Sequence, residues 1–170
     1  MNQKTAYTDQ FNQLKDKSYE SADELIAFFD TLPEISIENI YGKWKGGLFD
    51  GPWDFEFSKK INWFGKWFQD QFTTDSVICY NDKGELFSNK EVMRGGASLW
   101  NIDFRGKTSA TLVYDHVPLF GHFRQVDENI VMGVMSGKPF EGAPSYLLEE
   151  RNGVFYLERI QEFPAKFVES

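Results

Sequence analysis

One cysteine and two histidines are all that the 170 residues offer toward soft-metal or thiol chemistry. A lone Cys79 excludes an internal disulfide and argues against an oxidising compartment. Together with His116 and His122 it falls short of a structural zinc site, so no metal is expected. Long apolar runs are missing as well, and no stretch approaches the roughly 20 residues that a membrane helix needs. The opening residues MNQKTAYTDQFNQL are polar and contain no apolar signal core, which points to a cytoplasmic chain. Basic clusters stop at the pair Lys59-Lys60 while the formal net charge is −8, so a phosphate backbone would be repelled and nucleic acid is not an expected partner. The Gly-rich phosphate loop, the Gly-x-Ser-x-Gly elbow, Cys-x-x-Cys and His-Glu-x-x-His are all absent, which removes several common chemistries.

What the chain has in excess is aromatic side chains, 17% of the total with 17 Phe. Aromatics suit strands and carry large buried areas, so this composition favours a β-rich core or an aromatic-lined cavity over a helical bundle. The stretch Tyr41-Gly42-Lys43-Trp44-Lys45-Gly46-Gly47 fits a strand entering a closed barrel, where glycines allow close backbone passage and the indole plugs one end. In a closed meander the last strand returns beside the first, and there the Arg159 guanidinium is placed to stack on Trp44 and close that end.

Residues 1–20 read as a polar N-terminal arm or a weak helix, and residues 21–170 as a single domain. Ser21 with Glu24 forms a capping box, and Leu25, Ile26, Phe28, Phe29 and Leu32 make an apolar stripe that ends at Pro33. After the turn Asp50-Gly51-Pro52, the residues Trp53, Phe55 and Phe57 alternate with acids like a short strand. Ile61, Phe64, Trp67 and Phe68 then recur at helical spacing, which predicts a short aromatic helix over 59–69, a candidate lid carrying Trp67. From Ser76 onward strands are expected at 76–80, 85–88, 97–104, 107–114, 119–126, 129–135, 145–150 and 154–161. The turns Asn81 to Gly84, Arg105-Gly106 and Arg151-Asn152-Gly153 join them. The expected architecture is mainly β: a single antiparallel barrel with an N-terminal helix and a short aromatic-rich helix.

Candidate chemistry concentrates between Tyr114 and Asp127. If 119–126 is extended, Phe120, His122, Arg124 and Val126 share one face, a mixture suited to an amphipathic cavity wall. His122 is open to several readings: a satisfied structural histidine, a hydrogen-bonding cavity residue, a general acid/base paired with Asp115, or an axial haem ligand. Arg124 offers a bidentate fork for a ligand carboxylate or enolate, or is a strand charge at the surface. Tyr114 and Phe120 join the ligand-binding set, and His116, before Val117-Pro118, reads as a rim residue.

Tyr41 to Gly47, followed by Arg105 to Asp115 and His122 to Asp127, resembles the GXWXG family together with the domain of unknown function that follows it. The resemblance implies a barrel similar in outline to lipocalins and intracellular fatty-acid-binding proteins, that is, a calycin-like fold. The expected function is intracellular binding of a small, largely hydrophobic or amphipathic molecule, with His122 and Arg124 as polar anchors and no cofactor. The alternative is a cofactor-free enzyme in which His122 and Asp115 move a proton while Arg124 stabilises an anion. A haem-binding barrel is the third reading.

Overall fold

The computed structural model describes residues 2–52, 56–148 and 153–169. Three helices come first: α1 (Gln3–Lys15), α2 (Asp23–Thr31) and α3 (Ile37–Ile40). They lead into β1 (Gly42–Leu48), α4 (Glu56–Lys60), β2 (Trp63–Phe68), β3 (Thr74–Tyr80) and β4 (Leu86–Ser88). The hairpins β5 (Ala97–Phe104), β6 (Lys107–Tyr114), β7 (Leu119–Gln125) and β8 (Ile130–Gly137) follow. The chain ends with α5 (Ser145–Leu148), β9 (Gly153–Ile160) and β10 (Phe167–Val168).

All ten strands form one sheet in the order β10-β4-β3-β2-β1-β9-β8-β7-β6-β5, antiparallel except for the β10–β4 pair. The protein is therefore mainly β, as its composition indicates. The strand ladder is open, with β5 and β10 at its edges, and does not draw the expected closed barrel. It is nevertheless strongly curled. Phe68 on β2 and Phe123 on β7 lie four strand positions apart, about 19 Å in a flat sheet. Their ring centroids are only 5.8 Å apart. Curling also brings β3 to β5, where Thr74 Oγ1 donates to the Ala97 carbonyl at 2.6 Å.

Side-chain alternation divides the sheet into two faces. The concave face carries Trp44, Phe68, Phe123 and Phe155, all buried. The other face is covered by the N-terminal helices. Of the two readings of the N-terminal segment, arm or weak helix, the structure has the helix, which runs from Gln3, is capped by the Asn2 side chain and buries Phe11 against Phe49 and Tyr156. α2 buries the anticipated stripe of Leu25, Ile26, Phe28 and Phe29, but its N-cap is Ala22 with no side-chain cap bond, so Ser21 and Glu24 do not form a capping box. Beyond Thr111 the β6–β7 ladder gives way to the segment 33–35. There the Ala110 and Gln125 amides donate to the Ile35 and Pro33 carbonyls, and the Ser109 hydroxyl bonds both Ile35 N–H and the Phe123 carbonyl.

Two expected elements are different. The 59–69 helix is instead α4 followed by strand β2, and the expected strand over 145–150 begins with the helical turn α5. β2 contains register shifts on either side of Gly65 in its pairing with β3. A bulge inserts an extra residue and resets the alternation. Phe64 and Trp67, three residues apart, thereby share the outer cluster with Ile78 and Leu86. Spacing of three on a bulged strand imitates a helical stripe, which is why periodicity misassigned it. Phe57 lies in α4 rather than in a strand, while Trp53, Phe55 and the Arg151-Asn152 part of the last hairpin turn lie outside the described residues.

Candidate functional site

The glycines of β1 set the geometry of the concave face. A Cβ on Gly46 would sit 2.2 Å from the Trp63 indole, so only glycine leaves room for that ring. Gly65 lies under the same constraint, since its Cβ would fall 2.0 Å from the Trp44 carbonyl oxygen. Trp44 itself is fully buried, and its indole N–H donates to the Ile40 carbonyl at 2.8 Å. Arg159, its direct partner across the β1–β9 ladder, holds its guanidinium 4.2 Å over the Trp44 ring. The same guanidinium donates to the carbonyls of Tyr41, Asn39 and Glu128.

Beside this plug the concave face encloses a cavity of about 70 Å³. Its walls include Leu48, Ile61, Trp63, Met93, Met135 and Phe155. Leu48, Ser58 and Trp63 also border an adjoining groove of about 380 Å³ that runs past Lys59, Asn62 and Tyr80. Two polar side chains reach the cavity wall from the sheet: Lys66 on β2 and Tyr114 on β6. The bulge at Gly65 is what turns Lys66 inward, so that Trp63 and Lys66 line the cavity while Phe64 and Trp67 pack outside.

Lys66 is 4% exposed. Its Nζ donates to the Ser76 carbonyl at 2.6 Å and to the Tyr114 hydroxyl at 3.3 Å. The rings of Trp63, Tyr114 and Phe155 surround the amine at 5.7 to 5.9 Å from their centroids. Burial pushes its pKa from 10.5 down to about 7, only partly opposed by Cys79. Burial also raises the Tyr114 phenol and lifts the Cys79 thiol to about 11, so both stay neutral around the amine at neutral pH. Among the described residues no carboxylate forms an ion pair with Lys66, although acids outnumber bases 26 to 18 in the chain. Chemically, the site is an amine that alternates between ammonium and free base near neutral pH, in a dry aromatic box.

The histidine strand lies elsewhere. Phe123 takes the concave face, so His122 and Arg124 point to the opposite one, and neither lines the cavity or the groove. His122 is buried and stacked on Phe104 at 3.7 Å. Its Nδ1 is 3.1 Å from Thr111 Oγ1 and its Nε2 is 2.8 Å from Ser136 Oγ. Desolvation, and then the Arg124 charge, hold its pKa down at about 4, so the ring is neutral at physiological pH. With both ring nitrogens engaged, this imidazole has no free nitrogen for haem iron. Asp115 is exposed beyond the end of β6 and does not meet His122, so the structure does not assemble an acid/base pair from them.

Arg124, 1% exposed, spends its donors on the carbonyls of Phe29, Phe104 and Arg105 and lies over the Phe29 ring. It fastens the C-terminal end of α2 to the sheet instead of facing a ligand. Phe120 stacks beside His122 on the same side. Trp67 packs between Phe163 and Phe167 beneath the Lys43 ammonium, outside the cavity. His116 is exposed beside Gly95, in keeping with a loop position. Of the sequence-predicted ligand set, Tyr114 alone reaches the cavity. Lys66 escaped notice because a lysine on a predicted helix between aromatics reads as a solvated charge, and the one signal against that was the glycine before it.

The fold and site define a class: a mainly β protein with one curled sheet around a small aromatic cavity. Residues 27–84 match the GXWXG protein family, and residues 95–159 match the domain of unknown function DUF4334. The cavity is built from both matched segments, with Lys66 in the first and Tyr114 in the second. A solved structure of a protein from Thermomonospora curvata is similar, with 25% identity and a TM-score of 0.76 over 92% of this chain and 99% of that one. No curated protein matches the chain.

Proposed function

We propose that the protein binds a small, largely hydrophobic molecule inside the curled sheet, which works as a calycin-like barrel whose polar anchors are Lys66 and Tyr114. The observation that carries this reading is the Lys66 amine, buried in an aromatic cavity with no carboxylate partner among the described residues. Binding pockets are mostly apolar with a few convergent polar groups, and this one has that composition. Burying a lysine costs stability, and the packing around Lys66 would be better served by an apolar side chain. A group retained against such a cost, facing a cavity, is a functional candidate. The likeness in outline to lipocalin and fatty-acid-binding barrels adds analogy at the level of fold. A cytoplasmic setting suits the buried reduced thiol of Cys79.

The test uses the neutral fluorescent probe N-phenyl-1-naphthylamine. Saturable binding is expected, the probe lying across the cavity and the adjoining groove, with energy transfer from Trp63, which borders both. Val77 also lines the cavity, so Val77→Phe fills it and should abolish binding while leaving the far-UV circular dichroism unchanged. Undiminished binding in a folded Val77→Phe protein refutes the reading.

A further inference from the structure

We propose that the cavity captures aldehydes or ketones covalently, the Lys66 amine condensing with the ligand carbonyl to give a reversible imine. This rests on the cavity being the binding site and names the chemical class that it takes.

Four observations converge on it. The amine lies in the cavity wall and is almost wholly excluded from bulk water. The titratable groups facing it are the Tyr114 phenol and the Cys79 thiol, and no described carboxylate pairs with it. A permanent ammonium in so dry a place would call for a carboxylate partner, whereas a free amine needs none. A lysine desolvated in an apolar pocket is a recognised way to obtain a nucleophilic amine.

The acceptor geometry also suits the product. An ammonium carries three N–H donors, of which the Ser76 carbonyl and the Tyr114 oxygen take two. A protonated imine carries a single N–H, and the Ser76 carbonyl satisfies it. The ring faces of Trp63, Tyr114 and Phe155 stabilise the cation in place of a counter-ion. In the reaction the nitrogen lone pair forms a C–N bond as the C=O π bond breaks. A proton then passes from nitrogen to oxygen, with the Tyr114 hydroxyl within reach of Nζ as the relay. The carbinolamine hydroxyl takes up a proton from the medium and departs as water while C=N forms. Carbonyl compound, amine and one proton thus give protonated imine and water, and no oxidant or reductant is consumed.

The experiment incubates the intact protein with nonanal at pH 7, reduces with sodium cyanoborohydride, and locates the secondary amine by peptide mass mapping. An ordinary surface lysine is neutral to about one part in a thousand at pH 7. With a pKa of about 7, Lys66 is about half neutral, and allowing for its weaker basicity it should be labelled about tenfold faster than any surface lysine. Tyr114→Phe should slow labelling of Lys66 severalfold while the labelling rate of surface lysines stays as in the parent. Labelling spread over surface lysines with Lys66 unmodified overturns the proposal, and this outcome needs no variant to fold. If the naphthylamine still binds in that case, the cavity reading survives and only the imine fails. If nonanoate protects the cavity while nonanal forms no adduct at Lys66, the amine is an anchor for carboxylates and the imine is likewise refuted.

Discussion

Lys66 makes the stability of the protein depend on alkaline pH in a way that can be worked out in advance. In the unfolded chain its ammonium titrates near the ordinary 10.5, and in the folded protein near 7. Between those values the unfolded chain binds more protons, so raising the pH favours the folded state. The penalty is therefore full below pH 7 and disappears as pH approaches 10.5. The window from pH 7 to pH 9 isolates this group. The depressed His122 acts in the same direction, but only between about 4 and its ordinary 6.5. Cys79, raised from 9.0 to about 11, opposes it only above pH 9. Across the window the folding free energy should improve by about 2 kcal/mol. Lys66→Met keeps the shape, removes the titration and should flatten the profile. The difference between 10.5 and about 7 corresponds to about 5 kcal/mol, reduced by about 1–2 kcal/mol for the hydrogen bonds lost with Nζ. The variant should thus be more stable than the parent at pH 7 by about 3 kcal/mol. Urea denaturation followed by tryptophan fluorescence, in matched ionic strength at pH 7, 8 and 9, gives both numbers. A parent profile no steeper than that of Lys66→Met would show that the amine is not held in a dry site, and the argument for it as an anchor would go with it.

Other expectations are more local. Gly46→Ala places a methyl group against the Trp63 indole and should cost about 1–3 kcal/mol by overpacking, with a shift in the tryptophan emission. Arg124→Ala strands the buried Phe29 carbonyl and loosens the part-buried Phe104 and Arg105 carbonyls at the α2–sheet junction, and should cost about 1–3 kcal/mol in denaturant melts, yet leave naphthylamine affinity unchanged at temperatures where it is folded. Arg159→Lys keeps the charge but loses the planar fork over Trp44, and a drop of several degrees in Tm is expected, about 1–2 kcal/mol. The His122 ring should titrate near 4 in NMR spectra. A His122 midpoint at or above its ordinary 6.5 would mean that the ring is wet.

The strand plan from β5 to β8, and β9 itself, was legible because alternation and turn chemistry agree there. Arg105 and Gly106, for instance, both adopt positive φ as a tight hairpin demands. The Arg159 contact with Trp44 was also within reach, since strand pairing alone places those residues opposite each other. The site was not legible, for two physical reasons. Alternation assigns Phe120, His122 and Arg124 to one face of β7 without saying which face is concave, and the helices that bury that side come from far earlier in the chain. In β2 the bulge at Gly65 breaks the period on which any reading of Lys66 depends. The buried polar residues of β7 are satisfied by backbone carbonyls and hydroxyls, and sequence spacing carries no trace of such partners.

The insertion of residues 33–35 between β6 and β7 bears on how the chain assembles. The contacts that seal the gap join positions separated by 74 residues at Ser109 and Ile35 and by 95 at Arg124 and Phe29. Closing loops of that length is entropically slow, so the middle of the sheet cannot be completed by local hairpin zipping. Until the N-terminal segment arrives, Ala110 and Gln125 present unpaired amides inside a pair of otherwise finished strands. A chain shortened by its first 36 residues would keep that gap permanently, as an internal sheet edge open to pairing with a neighbour. The segment 33–35 between α2 and α3 is thus what closes this internal edge, and its removal should show as self-association of the shortened chain.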